Sequence, residues 1–187
     1  MEASALRKDE SYTYADYASW NTENRYELID GMPYMMSPAP LRAHQGISSN
    51  LHREIAIFLK GKTCRIFAAP FDVRLNAAAG DNTVVQPDLV VICDRSKLND
   101  TGCSGAPDMV IEILSKSSAS RDIVLKFNQY LKAGVREYWI VDPDSKTVRV
   151  NILENGRYYA SAYAETDTLP VHVLEGCVIN LAEVFAE

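Results

Sequence analysis

MVIEILSKSS, residues 109–118, opens with six residues that read as strand interrupted by a single acid, Glu112. Met109, Val110, Ile111, Ile113 and Leu114 are apolar on both alternating faces, the pattern of a strand covered on both sides inside a sheet. An ionised carboxylate in such a place, without a partner, costs several kcal/mol, a cost met by pairing, by protonation or by a metal ion. Glu112 therefore needs a partner, and the rest of the chain has to supply it.

On the C-terminal side, Asp122 to Ala133 reads as a helix stopped by Gly134, and EYWIVD follows as another strongly apolar strand ended by Pro143. On the N-terminal side, CRIFAAPFDVRL and VVQPDLVVIC are strand candidates that, with MVIEIL, are expected to share one sheet. Farther out, Thr13 and Asp16 form a capping-box pattern ahead of a short helix, TYADYASW. RYELID and MPYMMS flank an Asp30-Gly31 turn as a hairpin. Ile47, Leu51, Ile55, Phe58 and Leu59 recur at helical spacing from about His44 to Lys60. The C-terminal third reads as strands, turning at Asn155-Gly156, closed by a short helical turn. No linker or repeat breaks the chain, so residues 1–187 are expected to form one α/β domain, with 1–11 as a flexible N-terminal segment.

At 47% hydrophobic and 24% charged residues the composition is that of an ordinary globular domain, far from disorder. No apolar run reaches the ~18 to 20 residues of a membrane helix, and the N-terminus lacks a signal peptide's apolar stretch, which implies a soluble cytoplasmic protein with no membrane partner. Cys64, Cys93, Cys103 and Cys177 contain no C-x-x-C pair, so they are read as reduced packing residues. The net charge of −6 argues against a polyanionic partner, but its distribution does not. Arg42, Arg53, Lys60, Lys62 and Arg65 face only Glu54 within residues 42–65, and Lys116, Arg121, Lys126, Lys132 and Arg136 face only Asp122 within 116–136. Such segments are either backbone-contacting patches or merely solvated helix faces.

Asp88, after Pro87, stands at the mouth of the strand that follows it, which is also common turn chemistry. If its strand adjoins that of Glu112, the two carboxylates converge, and an incomplete oxygen set of that kind suits Mg²⁺ or Mn²⁺. The competing reading is an internal pair of Glu112 with Arg or Lys. Lys126 shares a helical face with Asp122 and Tyr130. It either forms an ordinary i to i+4 pair or reaches the sheet end, where its ammonium would meet a metal-bound water or the scissile phosphate, assisting water attack and stabilising the charge that develops. Glu27 is an added acidic ligand or a hairpin charge pairing with Arg25. His44 approaches a phosphate or caps its helix. Asp72 completes the acidic cluster or sits as a strand-edge charge. Tyr130 and Tyr138 support Lys126 or pack in the core, and Asp108 orders the loop before Met109.

The ordered set RYELIDG, HQGISSNL, FDVRL, VVQPDLVVICD, GAPDMVIEILS and RDIVLKFNQYLKAGVREYWIVDP, from about residue 12 to the C-terminus, resembles the Uma-two family of restriction endonucleases, a branch of the PD-(D/E)-x-K nuclease superfamily. The resemblance implies a restriction-endonuclease-like fold: a central mixed sheet flanked by helices, with an N-terminal hairpin and additional C-terminal strands. It assigns Asp88 and Glu112 to the carboxylates of the superfamily motif. The motif's lysine would fall at Leu114, and Lys126 on the following helix is the matching replacement. A Mg²⁺- or Mn²⁺-dependent endonuclease acting on DNA is thus expected, as a homodimer if it cuts both strands. The alternatives are a catalytically weak or inactive nucleic-acid-binding or regulatory module of nuclease fold, or a phosphodiesterase for RNA or small nucleotides.

Overall fold

The computed structural model describes residues 10–36, 41–115 and 121–186, without the side chains of 121–123. The expected capping box forms: Thr13 and Asp16 bond reciprocally and start helix α1, Tyr14–Ala18. Strands β1, Tyr26–Ile29, and β2, Met32–Met35, pair antiparallel across Asp30 and Gly31, whose φ values of 49° and 80° make the tight turn. Helix α2, Arg42–Leu59, buries Ile47, Leu51, Ile55 and Leu59 along one stripe.

Strands β3, Arg65–Ala68, and β4, Asp72–Arg74, follow, then β5, Val84–Val85, and β6, Leu89–Ile92. A single-turn 3₁₀ segment leads to β7, Leu98–Asn99, β8, Gly102–Ser104, and β9, Met109–Ile113. Helix α3, Arg121–Ala133, ends at Gly134, φ 85°. It carries the chain to β10, Glu137–Asp142, which lies parallel to β9. The chain then runs through β11, Thr147–Glu154, β12, Arg157–Ala164, β13, Thr168–Pro170, and β14, Val178–Asn180, to helix α4, Leu181–Phe185.

Two mixed sheets result, in orders β2-β1-β5-β4-β8-β7 and β12-β11-β10-β9-β6-β3, with β13-β14 as a separate ribbon. The expectation that the three central strand candidates share one sheet is corrected here. CRIFAAPFDVRL divides into β3 and β4 on different sheets, and VVQPDLVVIC into β5 and β6 likewise. Pro70 and Pro87 sit at the two breaks. Neither has an N–H to donate, so a ladder cannot run through either and the chain crosses between sheets.

The second sheet is covered on both faces, which accounts for its apolar runs. Leu89, Val91, Met109, Ile111, Trp139 and Val141 pack with α2 and the C-terminal segment. Val90, Ile92, Val110, Tyr138 and Ile140 pack on the other side with Tyr130 of α3 and with Val73 and Val85 of the first sheet. Alternation along β9 puts Glu112 on this second face, in step with Val110.

The cysteine reading is also corrected: Cys64 and Cys93 form a disulfide, whereas Cys103 and Cys177 are free and buried. The pairing of Arg65 with Ile92 brings the two residues just beyond the ladder face to face, a juxtaposition that sequence spacing does not reveal. Among the described residues no helix is long and apolar enough to cross a membrane. Residues 1–9 of the expected flexible segment lie outside the described residues.

Candidate active site

Strands β6 and β9 pair antiparallel with Leu89 opposite Ile111, and continuing that register places Asp88 across from Glu112. Asp88 Oδ2 accepts the Ile113 N–H at 2.8 Å, which fixes the carboxylate at the sheet end. His44, in the first turn of α2, approaches the same oxygen with Nε2 at 3.3 Å. Its Nδ1 is buried without a partner among the described residues.

Helix α3 supplies the other half. Lys126 Nζ lies 3.0 Å from Glu112 Oε1 and 2.8 Å from Glu27 Oε1, so one buried ammonium ties together carboxylates from the two sheets. Tyr130, one turn farther along, donates its hydroxyl to Glu112 Oε1 at 2.6 Å. Lys126 and Tyr130 share a helical face as their spacing predicts. The side chain of Asp122, the third member of that face, lies outside the described residues. Glu112 Oε2 and Asp88 Oδ1 accept no hydrogen bond among the described residues.

Glu27, His44, Asp88, Glu112, Lys126 and Tyr130 thus converge from β1, α2, the mouth of β6, β9 and α3. Asp72 does not join them. Its Oδ1 accepts from the Tyr17 hydroxyl at 3.0 Å and from Gln86 Nε2 at 2.8 Å. It reaches the centre only through Gln86, whose backbone N–H donates to Glu27 Oε1 at 2.8 Å. Gln86 is the residue that sequence reasoning missed; the only signal was a polar side chain immediately before Pro87-Asp88. Tyr138 packs on the Tyr130 ring, with centroids 4.9 Å apart, and its buried hydroxyl bonds to nothing described. Asp108 orders its loop as expected, accepting the Cys93 N–H and pairing with Arg136. Lys126, counted in the basic segment 116–136, is too buried to contribute to a surface patch, whereas Lys132 and Arg136 are exposed.

The electrostatics are those of a carboxylate-rich pocket with too little positive charge. Burial pushes Glu112 up to about 7; Lys126 opposes the shift, Asp88 and Glu27 add to it, and the Tyr130 hydrogen bond works against it. Burial pulls Lys126 down, but Glu112 and Glu27 outweigh it and hold the ammonium charged well above the ordinary lysine range. For His44, burial is likewise outweighed, by Asp88 and the Ile113 carbonyl, and the net shift is upward.

A divalent cation fits this donor set. Asp88 and Glu112 are hard oxygen ligands facing each other, each keeps one oxygen without a described hydrogen bond, and the mutual repulsion of the acids would be relieved by added positive charge. No group of three or more His, Cys, Asp or Glu residues among those described could hold a metal ion. A cation here would be shared by two carboxylates, with water and phosphate oxygens completing its shell, the manner in which Mg²⁺ is commonly held.

A family model described as "Uma2: Putative restriction endonuclease" matches residues 12–182. A solved structure, "Crystal structure of a putative nuclease belonging to DUF820 from Anabaena variabilis ATCC 29413", superposes with a TM-score of 0.75. It covers 93% of this chain and 97% of its own at 22% identity, a likeness of fold. No curated protein matches the chain.

Proposed function

The chain belongs to the Uma2 family, a family of the restriction-endonuclease type, and on that premise we propose that it is a Mg²⁺- or Mn²⁺-dependent endonuclease hydrolysing phosphodiester bonds in DNA. The observation that carries the proposal is the meeting of Asp88 and Glu112 on adjoining strands beside a buried ammonium, Lys126, 3.0 Å from Glu112. Asp88 and Glu112 would hold the cation, which when bound would polarise the scissile phosphate and favour ionisation of the attacking water. The Ile113 N–H fixes the Asp88 carboxylate. Tyr130 and Lys126 together fix one oxygen of Glu112 and leave the other for ligation.

Glu112 and Glu27 hold the Lys126 ammonium charged. Its role is to donate hydrogen bonds and to offset negative charge as the phosphate is attacked. Its place on a helix rather than at position 114 is chemically equivalent, because the ammonium is needed at a point in space. Arg53, Lys132 and Arg136 are exposed cations near which a nucleic-acid backbone could run, each already beside an acid of its own. A homodimer would bring two such centres to a duplex.

One observation favours a second reading, a nucleic-acid-binding module that turns over little. Lys126 already pairs with both Glu112 and Glu27 without a bound metal ion. Plasmid nicking across Mg²⁺ and Mn²⁺, with RNA and cyclic dinucleotides as competing substrates, separates the readings. Metal-dependent nicking by wild type that is lost in Glu112→Ala supports the endonuclease. Salt-sensitive DNA binding with no cleavage in any metal supports the module, and equal divalent affinity in wild type and Glu112→Ala removes Glu112 from the metal site.

A further inference from the structure

Beside the carboxylate centre, on the other side of Gln86, α1 and the residues entering β1 line an open cavity of ≈ 370 Å³ together with Asp72 of β4 and Gln86. Its volume lies at the small end of the ~300–1,000 Å³ range of ligand pockets, the scale of one heterocycle rather than of a duplex. Aromatic rings make much of its wall. Tyr14 stacks near Tyr17, and Trp20 meets Tyr17 and Tyr26 edge to face at centroid distances of 5.4 and 5.8 Å. The polar wall is a hydrogen-bonded plate: Gln86 receives Arg25 on its oxygen and donates to Tyr17 and Asp72.

One polar atom of the wall residues is unused among the described residues. Asp72 accepts both of its hydrogen bonds on Oδ1, which leaves Oδ2 as an acceptor. An acceptor set among aromatic faces matches a flat ring that carries an N–H on its edge. Those are the features by which proteins hold an unstacked base.

We propose that this cavity binds a single unstacked nucleobase of the strand engaged by the neighbouring carboxylate centre. The inference rests on the nuclease reading and deepens it. Gln86 is the link between the two sites, because its backbone N–H holds Glu27 while its side chain holds Asp72 and Tyr17. A base seated on Asp72 and Tyr17 would therefore press on the same residue that positions Glu27 against Lys126. The pocket gives the site a way to prefer certain sequences, which two carboxylates and an ammonium cannot do by themselves.

The test uses the four nucleoside 5′-monophosphates and ribose 5-phosphate as probes, in EDTA so that no metal and no cleavage enter. Trp20 fluorescence reports binding, since the other tryptophan, Trp139, is fully buried and bonded to Glu137. Saturable quenching by at least one nucleotide and not by ribose 5-phosphate is expected, weakened at least about tenfold in Asp72→Asn and in Tyr14→Ala. Far-ultraviolet circular dichroism of both variants identifies any that fails to fold, and the remaining one decides. No quenching up to about 10 mM, equal quenching by ribose 5-phosphate, or unchanged affinity in a folded variant overturns the proposal and leaves the aromatic rings as a packing seam for α1. Absence of cleavage in the separate nicking assay, with base quenching intact, strikes the nuclease reading and not the pocket.

Discussion

Two glutamates, Glu137 fully buried and Glu112 largely so, lie on neighbouring parallel strands and solve the same problem in opposite ways. Glu137 begins β10 on the face that packs with α2, and its oxygens accept from Trp139 Nε1 and the Val173 N–H, both at 2.8 Å. Glu112 stands near the end of β9 on the other face and is held by the Lys126 ammonium and the Tyr130 hydroxyl. Neutral donors close around Glu137 and stitch the 172–173 loop to the sheet. A single cation shared with Glu27, beside Asp88, leaves Glu112 in a pocket whose acids outnumber its bases. Burial of a carboxylate thus marks neither structure nor function until its donors are known: dipoles from two sides hold Glu137, whereas one ammonium shared with Glu27 and one hydroxyl hold Glu112.

The contrast can be broken most forcefully at Lys126. Lys126→Met leaves Glu27 and Glu112 buried without their counter-charge, and a loss of about 3–5 kcal/mol is expected in urea unfolding. A loss below about 1 kcal/mol would mean that the acids do not depend on this ammonium. Glu112→Gln is expected to fold while losing at least about 100-fold in Mn²⁺ or Mg²⁺ affinity by calorimetry, more than the effect of an outer hydrogen-bond partner. The same change at Glu137 reverses the outcome. Glu137→Gln turns one accepting oxygen toward donors as an amide, costing about 1–3 kcal/mol in stability with divalent affinity unchanged.

The smallest expected effect is one of pH. Burial pushes the Glu137 carboxyl above the ordinary glutamate range, against the pull of the Val173, Trp139 and His172 donors. The folded state then keeps a proton that the unfolded chain has released. The associated stability is complete below the ordinary glutamate pKa and is lost as pH rises through the folded value. The stability gap between wild type and Glu137→Gln, which cannot titrate, should narrow from acid to neutral pH in paired urea titrations. A gap that widens would show the N–H donors outweighing burial.

Much of the fold was legible because it is written in local periods. The apolar stripe of α2, the capping box at Thr13, the Asp30-Gly31 turn and the helix ending at Gly134 each depend on residues within a few positions of one another. The two-sided apolar run at 109–114 announced an interior strand, and the oddity of Glu112 inside it pointed to a partner. The strand breaks at Pro70 and Pro87 were visible as residues but not as crossings between sheets, since a missing N–H says where a ladder stops and not where the chain goes next. Asp72 reads from sequence equally as one of the acids or as a strand-edge charge; it opens β4, and packing there gives it to Tyr17 and Gln86. The Glu137 puzzle, identical in kind to that of Glu112, went unnoticed because EYWIVD carries its acid at the edge of the run, where a charge usually meets solvent.

By itself the sequence determined the helices and most of the strand segments, the unusual acid in MVIEIL, the Asp88–Glu112–Lys126 set as residues to examine, and the family to which they belong. Tertiary structure alone decided that Asp88 faces Glu112 in register, that Lys126 is shared with Glu27 from the other sheet, that Cys64 meets Cys93, and that Glu137 is satisfied by a loop 36 residues away. The physical reason is one of range. Backbone preference and burial period act over a few residues, whereas the partner of a buried charge is fixed by the packing of elements far apart in the chain, to within a fraction of an ångström.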